Sequence, residues 1–246
     1  MLTLPADDPR SIALIAAIHT GDTSALQHWL DDAPALATMR IVDAGGVART
    51  LLHVVADWPG HRPASARVVA MLAAAGADVD AALTQSAPGG APETPLHWAA
   101  SCDDVEVLDA LLDAGADSEA PGAVFTGGSA MSNAVVFAQW RAARRLLERG
   151  ATTTIWQAAA LGLLDRVRVS ASAVPAPPPQ TITNACWHAC RGGQHETAEY
   201  LHALGADINW IGYDHRTPCD VARESGNTAL LAWLRSSGGR FAAEST

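Results

Sequence analysis

The stretch Thr94-Pro95-Leu96-His97-Trp98-Ala99-Ala100, with Gly115-Ala116-Asp117 closing the segment after it, constrains this chain more than any other feature. Thr94 offers a hydroxyl to cap a helix N-terminus, and Pro95 fits the first turn, where a missing N–H costs nothing. Leu96, Ala99 and Ala100 share one helical face, and their small size lets a neighbouring helix approach closely. Val105, Val107, Leu108, Leu111 and Leu112 supply the apolar positions of a second helix. Gly115 then suits a left-handed C-cap, which glycine enters without strain. The whole reads as one helix–turn–helix unit.

Endings of the same kind recur at Gly76-Ala77-Asp78, Gly150-Ala151 and Gly205-Ala206-Asp207. Openings recur at Leu52-His53-Val54-Val55-Ala56 and Thr217-Pro218-Cys219-Asp220-Val221-Ala222. The glycines stand 39, 35 and 55 residues apart. These residues resemble the ankyrin-repeat family, whose repeat is about 33 residues long. The match to T-P-L-H-x-A-A is complete only in Thr94–Ala100 and partial elsewhere. The first spacing then reads as a repeat with a longer loop, and the last as a degenerate repeat followed by a normal one. The resemblance implies an all-α ankyrin-repeat solenoid in a single domain over 1–246. About seven repeats are expected, with irregular caps and long finger loops. They begin near Ser11, Thr50, Thr94, Ser129, Ile155, Thr183 and Arg216.

Composition supports a packed array. The chain is 49% hydrophobic and 17% charged, which argues against disorder. Its net charge of −10 disfavours nucleic acid and favours a cationic partner. All 16 basic residues are arginine, which with abundant Ala and Gly resembles a high-GC bacterial gene. The N-terminus has no basic start or apolar run, and no stretch is long enough for a membrane span, so the expected location is cytoplasmic. Cys186 and Cys190 fall on apolar positions of the repeat and, with Cys102 and Cys219, give no zinc spacing. Buried thiols are the reading, with no metal and no cofactor.

Departures from the repeat point to function. The loops 80–93 and 119–128 are long and would lie on the finger side. The Pro-rich run 174–180 reads as a stiff connector. Eight Trp against three Phe and two Tyr is unusual, because a buried indole N–H needs a partner. His53 and His97 match the motif histidine and are read as structural, whereas Trp156 and Trp187 take its place elsewhere and are read as packing between helices.

In the family's architecture the residue after the motif histidine faces a concave groove. That puts Trp98 in register with Val54, Asn133, Gln157, His188 and Val221, and the next groove positions at Asp57, Ser101, Val136, Ala160 and Arg191. Trp58 lies near a turn, and Trp210 and Tyr213 lie on a finger. The candidate binding residues are thus Asp57, Trp58, Trp98, Ser101, Asn133, Gln157, His188, Arg191, Trp210 and Tyr213. No phosphate loop, nucleophile elbow or H-E-x-x-H is present. Asp57 and His188 sit in repeats too far apart for a dyad, which needs about 3 Å. The expected function is therefore a monomeric protein–protein interaction module, taking a protein or peptide in its groove and finger loops. The alternative is a small-molecule-binding protein or enzyme whose site the long loops enclose over Trp98.

Overall fold

Helix-forming segments with small apolar faces dominate the computed structural model, which describes residues 2–85 and 91–244. Among these lie fourteen α-helices, and the chain divides into two compact units, 1–151 and 152–246. In the first unit the helices run in consecutive pairs. They are α1 (Pro9–Thr20) with α2 (Thr23–Asp32), α3 (Leu51–Ala56) with α4 (Ser65–Ala74), α5 (Pro95–Ser101) with α6 (Val105–Asp113), and α7 (Ala130–Val136) with α8 (Trp140–Glu148). The first helices pack in the series α1, α3, α5, α7, and the second helices in the series α2, α4, α6, α8. Leu52, Val55, Leu96, Leu108, Leu111, Met131 and Leu146 fill the space between, fully buried. Ala99, Ala100 and Ala134 are buried too, as close helix approach requires.

The helix ends follow from the sequence. Gly76, Gly115 and Gly150 carry φ of 93°, 95° and 94°, so each chain reversal uses the left-handed region open to glycine. Asp22 and Asp104 cap α2 and α6 by accepting from the N–H groups of Ala25 and Val107 at 2.9 and 3.2 Å. Asp104 thereby serves the helix start.

A recurrent bridge joins successive pairs. The Thr50 N–H donates to His53 Nδ1 (3.2 Å), so the ring proton sits on Nε2, which donates to the Glu93 carbonyl (3.1 Å). The Thr94 N–H likewise donates to His97 Nδ1 (3.2 Å), and His97 Nε2 donates to the Gly128 carbonyl (3.1 Å). Each histidine thus satisfies one orphan N–H of its own helix start and one carbonyl of the chain entering the next pair.

The all-α expectation is corrected in the first unit. Strands β1 (Thr3–Pro5), β2 (Arg40–Val42), β3 (Val47–Thr50) and β4 (Thr84–Gln85) form one small sheet in that order, with β1–β2 parallel and the other pairings antiparallel. The turn at 43–46 drives it: the Asp43 carboxylate accepts from the N–H groups of Gly45 (2.8 Å) and Val47 (3.0 Å), and Gly46 takes φ of 81°. Of the long loop 80–93, residues 86–90 lie outside the described residues.

The second unit holds α9 (Ile155–Ala160) with α10 (Leu164–Ala171), α11 (Pro179–Arg191) with α12 (His195–Ala203), and α13 (Pro218–Glu224) with α14 (Thr228–Ser236). Helix α11 packs on both α9 and α13. Its start at Pro179 lies ahead of the expected Thr183, because Pro178 and Pro179 of the Pro-rich run form the helix entry. Cys186, Cys190 and Cys219 are buried in this core as free thiols. The four Cys, among the described residues, join no cluster able to hold a metal, and no helix is long and apolar enough to cross a membrane.

Burial holds the His53 pKa down at about 3. The folded protein keeps this ring neutral where the unfolded chain, with an ordinary value near 6.5, takes up a proton. The stability it confers is therefore full above about pH 6.5 and is lost as pH falls toward 3, at about 1.4 kcal/mol per pH unit. Going from about pH 7 to about pH 5 should cost about 2 kcal/mol through this side chain. His53→Gln, with an amide that does not titrate, should remove that part of the slope in urea denaturation measured at both pH values. An identical slope in the variant would refute the assignment.

Candidate functional site

A solvent-open hollow of about 530 Å³ lies in the first unit, with Trp58, Trp98, Phe125 and Phe137 on its walls and Glu93 and Ser101 among its polar groups. Helix α5 carries Trp98, half-buried, with its ring edge-on to His53 at 5.1 Å between centroids. Its indole Nε1 donates to Glu93 Oε2 at 3.2 Å. The His53 bridge and the Leu83 N–H (2.8 Å) both hold the Glu93 carbonyl, so the carboxylate is set by fixed backbone. Asn133, buried on α7, donates from Nδ2 to Glu93 Oε1 (2.6 Å) and to Ser101 Oγ (3.1 Å). Among the described residues no cation pairs with Glu93.

The loop 119–128 supplies the opposite wall. Gly122 takes φ of 145°, and a Cβ there would stand 2.5 Å from the Pro92 carbonyl oxygen, so only glycine lets this loop approach the chain leading into Glu93. The N–H groups of Gly122 and Ala123 donate to Gly128 O at 2.9 and 2.8 Å, and His97 holds the same carbonyl. Phe125 is presented 71% exposed, 5.9 Å from Phe137 between ring centroids. Trp58, just after α3, is 78% exposed.

Two other polar groups on these walls are already engaged. Asp57 is ion-paired with Arg49 Nη1 at 2.8 Å. The Ser101 hydroxyl donates to the His97 carbonyl at 2.9 Å. Burial pushes the Cys102 thiol up to about 11, so at neutral pH it is a thiol.

The sequence-derived candidates fall into two sets. Asp57, Trp58, Trp98, Ser101 and Asn133 belong to the first unit; the first four line the hollow, and Asn133 supports it from beneath. Gln157, His188, Arg191, Trp210 and Tyr213 belong to the second. There, Gln157 is buried, and its Oε1 accepts from the Thr154 N–H at 2.7 Å. It is Gln157, not Trp156, that holds the motif-histidine place in α9, which corrects the register by one residue. His188 is 3% exposed, packed 4.7 Å from Trp156 and 5.7 Å from Tyr213 between ring centroids. Burial, then the neighbouring Arg191 charge, holds its pKa at about 3. Arg191 lies over the Trp187 ring, its guanidinium carbon 5.8 Å from the centroid. Trp210 is half-buried against the core, 5.9 Å from Tyr213, whose hydroxyl accepts from Asn184 Nδ2 at 2.8 Å. Among these, Tyr213 is the exposed aromatic.

Glu93, Phe125 and Phe137 were not among the expected site residues. Glu93 was legible in one respect: it immediately precedes Thr94, at the point where the bridge from the preceding pair must land.

The ankyrin-repeat family model matches residues 93–123, the stretch that carries Glu93, Trp98, Ser101, all of α5 and α6 and the first part of the loop after them. This supports a place in the ankyrin-repeat family. No curated protein matches the chain.

Asn133→Ala removes a donor to a half-buried carboxylate. It should lower folding stability by about 2 kcal/mol, the scale of a hydrogen bond to a charged group. Urea denaturation checks this, and the Trp98 indole N–H resonance should move in the same variant as Glu93 loosens. A stability and an indole shift both equal to wild type would remove Asn133 from the site.

Proposed function

We propose that this chain is a protein-interaction module, an ankyrin-type array whose first unit receives its partner at the hollow over Trp98. Ankyrin repeats are generally protein-interaction modules, and the matched repeat carries Glu93, Trp98 and Ser101 of that hollow. The observation that carries the reading is the exposure of Trp58 and Phe125, which line the hollow together with the half-buried Trp98. Large aromatics at the surface are apolar area left uncovered, and such residues anchor interfaces. The hollow stays open to solvent between them, as suits a side chain protruding from a larger partner.

On this reading the fourteen helices make seven repeats of one solenoid, with the hollow part of its concave groove, in a cytoplasmic monomer. In the second unit, Tyr213 with Arg191 and Trp210 offers further contact area. His188 and Gln157 act beneath the surface by packing and capping.

Trp58→Ala and Phe125→Ala remove exposed rings, so melting temperature should hardly move while partner affinity falls by about 2 kcal/mol for a hot-spot residue. Wild type and both variants would be used for capture from native cytosol, and the captured protein titrated by calorimetry. A partner bound equally by all three would move the interface off the hollow. A small adduct on wild type alone, seen by native mass spectrometry, would replace the protein partner with a free ligand.

A further inference from the structure

We infer that the hollow receives the guanidinium group of an arginine side chain on the partner, an inference that rests on the interaction-module reading above. The argument starts at Glu93. Its two carboxylate oxygens each accept one hydrogen bond, from Trp98 Nε1 at 3.2 Å and from Asn133 Nδ2 at 2.6 Å. Both donors are neutral. They fix the carboxylate in place and leave its charge uncompensated, and no cation pairs with it among the described residues. A carboxylate offers about four acceptor positions, so each oxygen keeps a free lone pair. Two parallel acceptors match the forked N–H groups of a guanidinium.

The walls select the same group. Trp58, Trp98, Phe125 and Phe137 offer aromatic faces, which attract a cation and on which a planar guanidinium stacks. An apolar side chain would use those faces and leave Glu93 covered with its charge unpaired, which is costly. An acidic one would be repelled by it. The chain itself displays the pairing on the same wall: Asp57 lines the hollow and is already matched by Arg49 at 2.8 Å. An incoming arginine does for Glu93 what Arg49 does for Asp57. Lysine is the poorer fit, since a compact, strongly hydrated ammonium neither forks nor stacks. The net charge of −10 also draws a basic partner toward the surface.

The test uses the full chain, labelled with nitrogen-15, and capped alanine pentapeptides that carry arginine, citrulline or lysine at the centre. The readout is the Trp98 indole N–H resonance, assigned by its disappearance in Trp98→Phe. The arginine peptide should shift it saturably. Citrulline, with the same shape and no charge, should bind at least about tenfold more weakly, as loss of a charged hydrogen bond implies. Glu93→Gln should weaken the arginine peptide by a similar factor. Should that variant fail to fold, the citrulline comparison on wild type decides alone. Equal binding of citrulline would overturn the cation, equal binding of lysine would overturn the guanidinium, and no shift at Trp98 would overturn the site. The two readings fail separately. A partner lost on Trp58→Ala but indifferent to replacement of its own arginines by glutamine sinks the arginine and keeps the module. Peptide binding with no protein retained from cytosol keeps the arginine chemistry and sinks the module.

Discussion

The bridge from a motif side chain to the chain entering the next helix pair is what the rest of the structure hangs on. In His53 one ring nitrogen accepts from the Thr50 N–H and the other donates to the Glu93 carbonyl. In His97 the same two bonds run to Thr94 and Gly128. A helix start has donors to satisfy and a following loop has carbonyls to satisfy, and one neutral imidazole does both in a dry site. Because each bridge lands on the last residue of a long loop, loop length is free to vary while its end stays fixed. That freedom is what brings Glu93 and the loop 119–128 around Trp98 without disturbing the packed helices.

Chemistry other than imidazole can fill the capping half of the role, and this explains which parts of the fold were legible. Thr217 pairs with Asp220, whose carboxylate accepts from the Thr217 N–H at 3.0 Å. Thr154 pairs with Gln157 in the same way. The helix openings and the closing glycines could be read because their backbone demands admit few residue types. The register at Thr154 could not be fixed, because Ala158-Ala159-Ala160 fits a two-alanine signature in two frames. Only the capping bond of Gln157 breaks the tie. The small sheet escaped for a similar reason: its strands are short, and the turn at Asp43 looks like any polar loop until its N–H donors are placed.

The site was half legible. Groove positions Trp98, Ser101 and Asp57 do converge with Trp58, since they follow from helical spacing around a correct anchor. Burial was not legible. Asn133 and His188 occupy the expected frame, yet neighbouring side chains cover both, and a single sequence does not show how Trp156 and Tyr213 close over His188. Glu93 was missed because its role comes from a tether made by a residue forty positions earlier in the chain.

One of the tryptophans takes over the same bridge. Trp187 stands where the motif histidine would be, and its Nε1 donates to the Arg216 carbonyl at 3.0 Å, the residue just before the Thr217 cap. That is the bond His53 makes to Glu93, delivered by an indole that also fills the core. Trp98 uses its Nε1 on the Glu93 carboxylate instead. Phe would match the apolar volume in either place and leave an acceptor without its donor, a cost that grows with burial. Tryptophan is chosen where one side chain must be both wall and donor. Trp58, at the surface beside the same carboxylate-bearing hollow, has the wall without the internal bond, which leaves its face to solvent.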